Sequence, residues 1–223
     1  MSAQSKSPYT TIAIAFVALL LISNIAATKL IAFNVGPTRL IFDGGAILFP
    51  FTYVLGDVLA EVYGFARTRR VIFMGFFSSL LAAAVFLVVQ VLPSASEYVH
   101  QDAYQAVLGF VPRIVLASLA GYLVGQLLNA YVLVWIKQRW GPGNLWARLL
   151  GSSAVGEAAD TLVFCTVAFY GVLVGGGFWN YVLVGYAYKM VFEAILVPLS
   201  YLVINRVKRA QQTIDVAKGD QSG

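Results

Sequence analysis

Val71–Leu92 reads VIFMGFFSSLLAAAVFLVVQVL, and no charged residue interrupts it. A helix rises about 1.5 Å per residue, so a run of this length matches the roughly 30 Å hydrocarbon core of a bilayer. A surface helix of a soluble domain shows a polar face at every turn, and this stretch has none. It is expected to cross a membrane. Five further runs repeat the pattern: Thr10–Ala32, Gly44–Tyr63, Pro112–Ile136, Leu150–Gly171 and Trp179–Ile204. The expected fold class is therefore all-α, a polytopic membrane protein with six transmembrane helices. Residues 1–207 would form one membrane domain, and 208–223 a polar, irregular cytoplasmic tail.

Composition agrees. Of 223 residues, 60% are hydrophobic and 11% are charged, less than half the roughly 25% charged residues of a soluble domain. The lone cysteine, Cys165, excludes an intramolecular disulfide and reads as a small buried apolar residue. The lone histidine, His100, lies in the polar stretch Ser94–Gln105, which leaves no ligand set for haem, di-iron or HExxH zinc chemistry. No cofactor and no metal are expected. The first run is longer than the apolar core of a signal peptide, so it is read as a span that stays.

The net charge of +5 does not point to nucleic acid, because the basic residues fall in short clusters between apolar runs. Lys6, Arg67, Arg69, Arg70, Lys137, Arg139, Arg148, Arg206, Lys208, Arg209 and Lys218 all lie on one side if the chain crosses six times. The opposite loops hold Arg39 and Arg113 with acidic Glu97 and Asp102, and Val174–Trp179 holds no charge. The positive-inside rule then places both termini in the cytoplasm of a cell (inner) membrane protein. Trp135, Trp140, Trp146 and Trp179 fall at expected span ends, where indole rings anchor to the interface.

Function is expected from the charges inside the spans, each of which costs about 2.5–3.5 kcal/mol at mid-bilayer. The second run, FPFTYVLGDVLAEVYG, carries Asp57 and Glu61 one helical turn apart, with Tyr53 extending the stripe. The fifth, LLGSSAVGEAADTLVF, puts Ser153, Glu157, Asp160, Thr161 and Phe164 on one face, and the sixth carries Tyr188, Lys189 and Glu193. The fourth adds Gln126 and Asn129, and the first Ser23 and Asn24. At helical rise, Asp57 lies about 20 Å below the outer end of its span, Glu157 about 13 Å and Lys189 about 15 Å into theirs. The groups can meet near mid-membrane and must face the bundle interior. The bland alternative is that they only tie helices together, with Lys189 neutralising Glu193. Against it stands number: the acids Asp57, Glu61, Glu157, Asp160 and Glu193 exceed the cations Lys189 and Arg113. A surplus acid takes a proton, faces water or meets a cationic or donor-rich ligand.

Three spans plus three would also place the halves in opposite orientation, with Gly56-Asp57 and Gly156-Glu157 in equivalent places. Inverted repeats of this kind, with a polar site at their interface, are common in secondary transporters. Pro50, Pro112 and Pro198 could bend their spans near this region.

In these residues the sequence resembles the queuosine precursor transporter family. The matching pieces run from Ser23-Asn24 and Lys29 through Phe49-Pro50, Asp57, Glu61 and Tyr63-Gly64. They continue with Pro112-Arg113-Ile114, Ser118, Gly125-Gln126, Trp146 to Arg148 and Ser152-Ser153. Gly156, Asp160-Thr161, Phe164, Tyr188-Lys189, Glu193 and Pro198 complete the pattern. The sequence departs from it at Glu157, often an amide in the family, and at Ser153, often Thr, which ranks Asp57 and Asp160 above Glu157.

The resemblance implies import of 7-deazaguanines such as preQ0 and preQ1 for salvage into tRNA queuosine. A guanine-like edge presents two parallel donors that one carboxylate accepts at once. Asp57 or Asp160 is expected to grip that edge, and Glu61, Glu157 and Glu193 to handle charge or protons. Phe49, Tyr53 or Tyr188 would stack on the ring, and Lys189, Gln126, Asn129 or Asn24 would donate to its oxygen and nitrogen. The implied partners are this small base and the lipid bilayer, not nucleic acid, with homodimerisation left open. No GxxxxGK[ST] motif is present, so transport would be facilitated, ion-coupled or driven by a partner ATPase.

Other readings stay open. The chain could be the substrate-binding membrane subunit of a multi-component vitamin-type importer, or a cation channel or exchanger. An intramembrane aspartyl protease would use Asp57 and Asp160 as a dyad, but Val54-Leu55-Gly56-Asp57 lacks the glycine such enzymes carry two places earlier.

Overall fold

The structure is a computed structural model, and it describes residues 8–140 and 145–219; Lys6 lies outside them. Helix α1 (Pro8–Ala26) is followed by the antiparallel strands β1 (Leu30–Val35) and β2 (Thr38–Asp43). A 3-10 turn over Gly44–Leu48 leads into α2 (Phe49–Tyr63) and α3 (Phe65–Val91). The short α4 (Gln101–Val107) precedes three long helices, α5 (Val111–Trp140), α6 (Leu145–Phe169) and α7 (Gly176–Gly219).

Local chemistry sets these boundaries. Gly36, at φ 59°, and Pro37 make the tight turn between β1 and β2, with Val35 opposite Thr38. Asp43 caps the 3-10 turn, accepting from the amides of Gly45 (2.8 Å) and Ala46 (3.2 Å). Gly64, at φ 79°, separates α2 from α3. At the far end of α6, Arg113 donates to the carbonyls of Val167 (2.7 Å) and Tyr170 (2.6 Å). These carbonyls lie where a helix runs out of its own partners.

Among the described residues, five helical segments are long and apolar enough to cross a membrane: α1, Gly44–Tyr63, α3, Gln101–Ile136 and Gly176–Gln212. The expected fifth span, Leu150–Gly171, falls on α6 and is not among these five, because Glu157, Asp160 and serines dilute its apolar content. Packing is that of a membrane protein turned outward. On α3, Phe73, Phe77, Leu81 and Val88 are exposed while Gly75, Ser79 and Ala83 are buried. Small residues let backbones approach where lipid gives no hydrophobic drive. The seam between α5 and α6 is tightest. A Cβ on Gly125 would lie 2.9 Å from the Gly156 carbonyl oxygen, and one on Gly156 would lie 2.8 Å from Asn129 Cβ.

Two expectations change. The first span was expected to reach Ala32, but α1 ends at Ala26 and Leu30–Asp43 is a hairpin. The β-branched and aromatic residues either side of Gly36-Pro37 favour strands, and Gly44 returns the chain to donate to the Lys29 carbonyl at 2.8 Å. The irregular tail expected from Lys208 is instead helical, since α7 continues to Gly219.

Candidate functional site

The helices enclose a cavity of about 590 Å³. Helix α2 supplies Phe49, Tyr53 and Asp57, α5 supplies Gln126 and Asn129, α6 supplies Glu157, Asp160 and Thr161, and α7 supplies Tyr188 and Lys189. Asn24 of α1 also lines it. The acids of α2 and α6 thus share one hollow.

Each acid has its own arrangement. Lys189 forms an ion pair and hydrogen bond with Asp160 and stands 3.4 Å from Glu157 Oε2. About a fifth to a quarter of both partners' side chains stays accessible (23% for Lys189 and 22% for Asp160), so the pair is deep in the fold yet wet on its cavity side. Asp57 accepts from the Ser200 hydroxyl of α7 at 2.7 Å. Glu193 is a neighbour of Tyr53 and is not among the residues that line the cavity. The pairing of Lys189 with Glu193 that the bland alternative would have is not the one found: the lysine pairs across to α6.

Three other expected residues are placed differently from the acid cluster. Glu61 is exposed at the last turn of α2, outside the cavity, and accepts from Lys208 at 2.8 Å. The continued α7 brings that lysine to it. Asn24 is buried with both ends of its amide satisfied: it donates to Ser79 (3.1 Å) and accepts from Ser118 (3.0 Å), tying α1 to α3 and α5. Gln126 lines the cavity from a largely exposed position.

Aromatic rings form one wall. The Phe49 ring lies 5.9 Å from Tyr53 and 6.3 Å from Tyr188, and Tyr188 lies 5.4 Å from Phe42. Lys189 Nζ stands 5.9 Å from the Phe49 ring centre. A flat heterocycle fits such a wall, with carboxylates and an ammonium at its edges.

Asp43 was not foreseen as part of this region. It lines the cavity, and besides capping the 3-10 turn it accepts from the Tyr181 hydroxyl at 2.6 Å. Burial pushes its carboxyl up, against the hydrogen bonds from Tyr181, Gly45 and Ala46. The sequence signal was an acid directly before Gly44-Gly45, a capping pattern. Asn180 holds the same hairpin, accepting from the Ile41 amide (3.1 Å) and donating to the Arg39 carbonyl (2.7 Å).

The comparisons with known proteins bear on this cavity. A family model described as "Putative vitamin uptake transporter" matches residues 43–203, which take in every acid of the cavity. A "Probable queuosine precursor transporter" of Bacillus subtilis strain 168 is 31% identical over 158 residues, covering 70% of this chain and 69% of the relative. One of the same description from Haemophilus influenzae is 31% identical over 176 residues, covering 76% and 72%. The "Queuosine precursor transporter" of Escherichia coli K12 is 26% identical over 167 residues, covering 72% of each chain. No solved structure matches. The match takes in α2 to α6 and most of α7, and with it the chain belongs to the queuosine precursor transporter family, a multi-pass membrane protein by its helices and by its kin.

Proposed function

We propose that this protein imports a 7-deazaguanine precursor of queuosine through the cavity between α2, α6 and α7. The observation that carries the reading is that Asp57 and Asp160, from different helices, open onto one hollow walled by Phe49, Tyr53 and Tyr188. Its volume is within the roughly 300–1,000 Å³ of small-molecule sites. One carboxylate accepts the paired N–H donors of the base, the rings stack on its face, and Lys189 donates to its acceptor edge. Since Lys189 holds Asp160, a base arriving there exchanges its own donors for those of the lysine.

In this reading α6 is the fifth of six crossings, both termini are cytoplasmic, and α2 and α6 occupy equivalent places in two inverted halves. The membrane is the cytoplasmic (inner) one, and the chain acts as a carrier rather than an enzyme.

The test is complementation. A strain unable to make the precursor, given nanomolar external base, should regain queuosine in its tRNA when this chain is expressed. Asp57→Asn and Asp160→Asn should each abolish the gain at unchanged membrane abundance. Normal import by both variants would show that the carboxylates do not hold the base. Uptake by purified chain alone in liposomes separates a self-sufficient carrier from a subunit that needs a partner ATPase.

A further inference from the structure

Three residues that line the cavity carry a buried side-chain oxygen that is poorly served: Asn129 Oδ1 and Thr161 Oγ1 find no hydrogen-bond partner among the described residues, and Glu157 Oε2 has only the distant Lys189 ammonium at 3.4 Å. Buried polar atoms are seldom left this way, and each calls for an explanation. Thr161 is only 3% exposed, so bulk water does not serve its hydroxyl. The three are neighbours in the fold. Glu157 and Thr161 are one turn apart on α6, and Asn129 packs on Gly156 across the seam with α5.

Charge is unbalanced at the same place. The residues lining the cavity include four carboxylates, Asp43, Asp57, Glu157 and Asp160, and one ammonium, Lys189. Asp43 is saturated by Tyr181 and two amides, Asp57 accepts from Ser200, and Asp160 holds Lys189 closely. Glu157 has only a share of Lys189, at 3.4 Å. Missing donors and surplus negative charge therefore coincide. The group that supplies both is a primary ammonium, with three N–H donors and one positive charge.

We propose that Glu157, Thr161 and Asn129 form an ammonium subsite of the cavity, and that Glu157 sets a preference for a base bearing an alkylammonium arm over its uncharged congener. The inference rests on the transport reading above and goes beyond it by assigning the arm to these three residues. The base lies on the aromatic wall, and the arm reaches the α5–α6 seam.

The experiment compares uptake of radiolabelled 7-aminomethyl-7-deazaguanine and of the 7-cyano congener, in cells that make neither. Wild type should favour the ammonium compound by about tenfold or more, the factor one charge-assisted hydrogen bond carries. Glu157→Gln, which keeps the shape and removes the charge, should erase most of that ratio at matched membrane abundance. Glu157→Asp should keep part of it, and Thr161→Val should lower it less than Glu157→Gln does. Equal wild-type uptake of the two compounds would overturn the proposal, as would a ratio that Glu157→Gln leaves unchanged. It would also fall if replacing sodium by choline stopped wild-type uptake of both compounds and Glu157→Gln removed that dependence, for then the oxygens hold a coupling metal ion. Failure of the wild type to carry either compound is a separate outcome: it would sink the transport reading, and this inference with it.

Discussion

Lys189 stands where three demands meet: it holds Asp160, lies near Glu157 and faces the cavity. Removing it leaves two carboxylates without their cation. A fully buried orphan charge costs about 3–5 kcal/mol; with one side wet, about 1–3 kcal/mol is expected here. Lys189→Met should therefore lower the melting temperature in detergent and abolish uptake. Adding Asp160→Asn to it should recover part of the thermal stability and none of the uptake, which thermal denaturation and transport assays on the same preparations would check. A double variant no more stable than Lys189→Met would show that Asp160 is not the group left unpaired.

At this scale much was legible, because an ionised side chain inside an apolar run is costly and so stands out. Asp57, Glu157, Asp160 and Lys189 were readable for that reason. Glu61 was drawn in by its turn-to-turn spacing with Asp57, yet it lies one turn from the end of α2, where it reaches Lys208 instead. Asp43 was missed because an acid in a connecting segment costs nothing on an apolar scale; only the fold of the hairpin carries it inward.

Among the elements, the α5–α6 pair is held by contacts that leave no space. A side chain on Gly156 would meet Asn129 Cβ at 2.8 Å and the Gly125 carbonyl at 2.9 Å. Gly156→Val should push the helices apart at a cost of about 1–3 kcal/mol, as overpacking does, and cut membrane yield and uptake. Gly151→Ala, whose Cβ would meet Ile136 Cδ1 at an ordinary 3.5 Å, should be tolerated. Fluorescence size-exclusion profiles of the two variants would check this; a well-behaved Gly156→Val peak would contradict the tight seam. Helices were legible from length and hydropathy, but their ends were not. The apolar Leu30–Phe33 resumes the first run after Thr28-Lys29, and the Gly36-Pro37 turn between β-favouring segments is what separates strand from span. The end of α7 was hidden for the opposite reason: Lys208 and its polar neighbours fall outside any apolar window, although polar residues extend a helix readily.

For the whole molecule, the proposed six crossings and cytoplasmic termini make a prediction about access. Cys165 is the chain's sole cysteine and is buried, so Cys165→Ser gives a background for single probes. Cysteines placed at Gly36, Glu97 and Gly175 should react with an impermeant maleimide in intact cells. Probes at Arg69 and Arg206 should react only after the membrane is opened. Labelling of Gly36 and Arg69 from the same side would break the proposed topology. The distribution of lysine and arginine is what proposes this arrangement, whereas the shared cavity required side chains from α1, α2, α3, α5, α6 and α7 to be brought together.

The polar face that α6 turns to the cavity bears on how the chain is made. A segment carrying Glu157 and Asp160 partitions poorly into lipid as it leaves the ribosome, while its partner α5 partitions well. The glycine seam between them supplies a way in: the two enter as a joined pair, the oilier one sheltering the other. On this view the residues proposed to hold the base are also those that oblige the chain to be assembled two helices at a time.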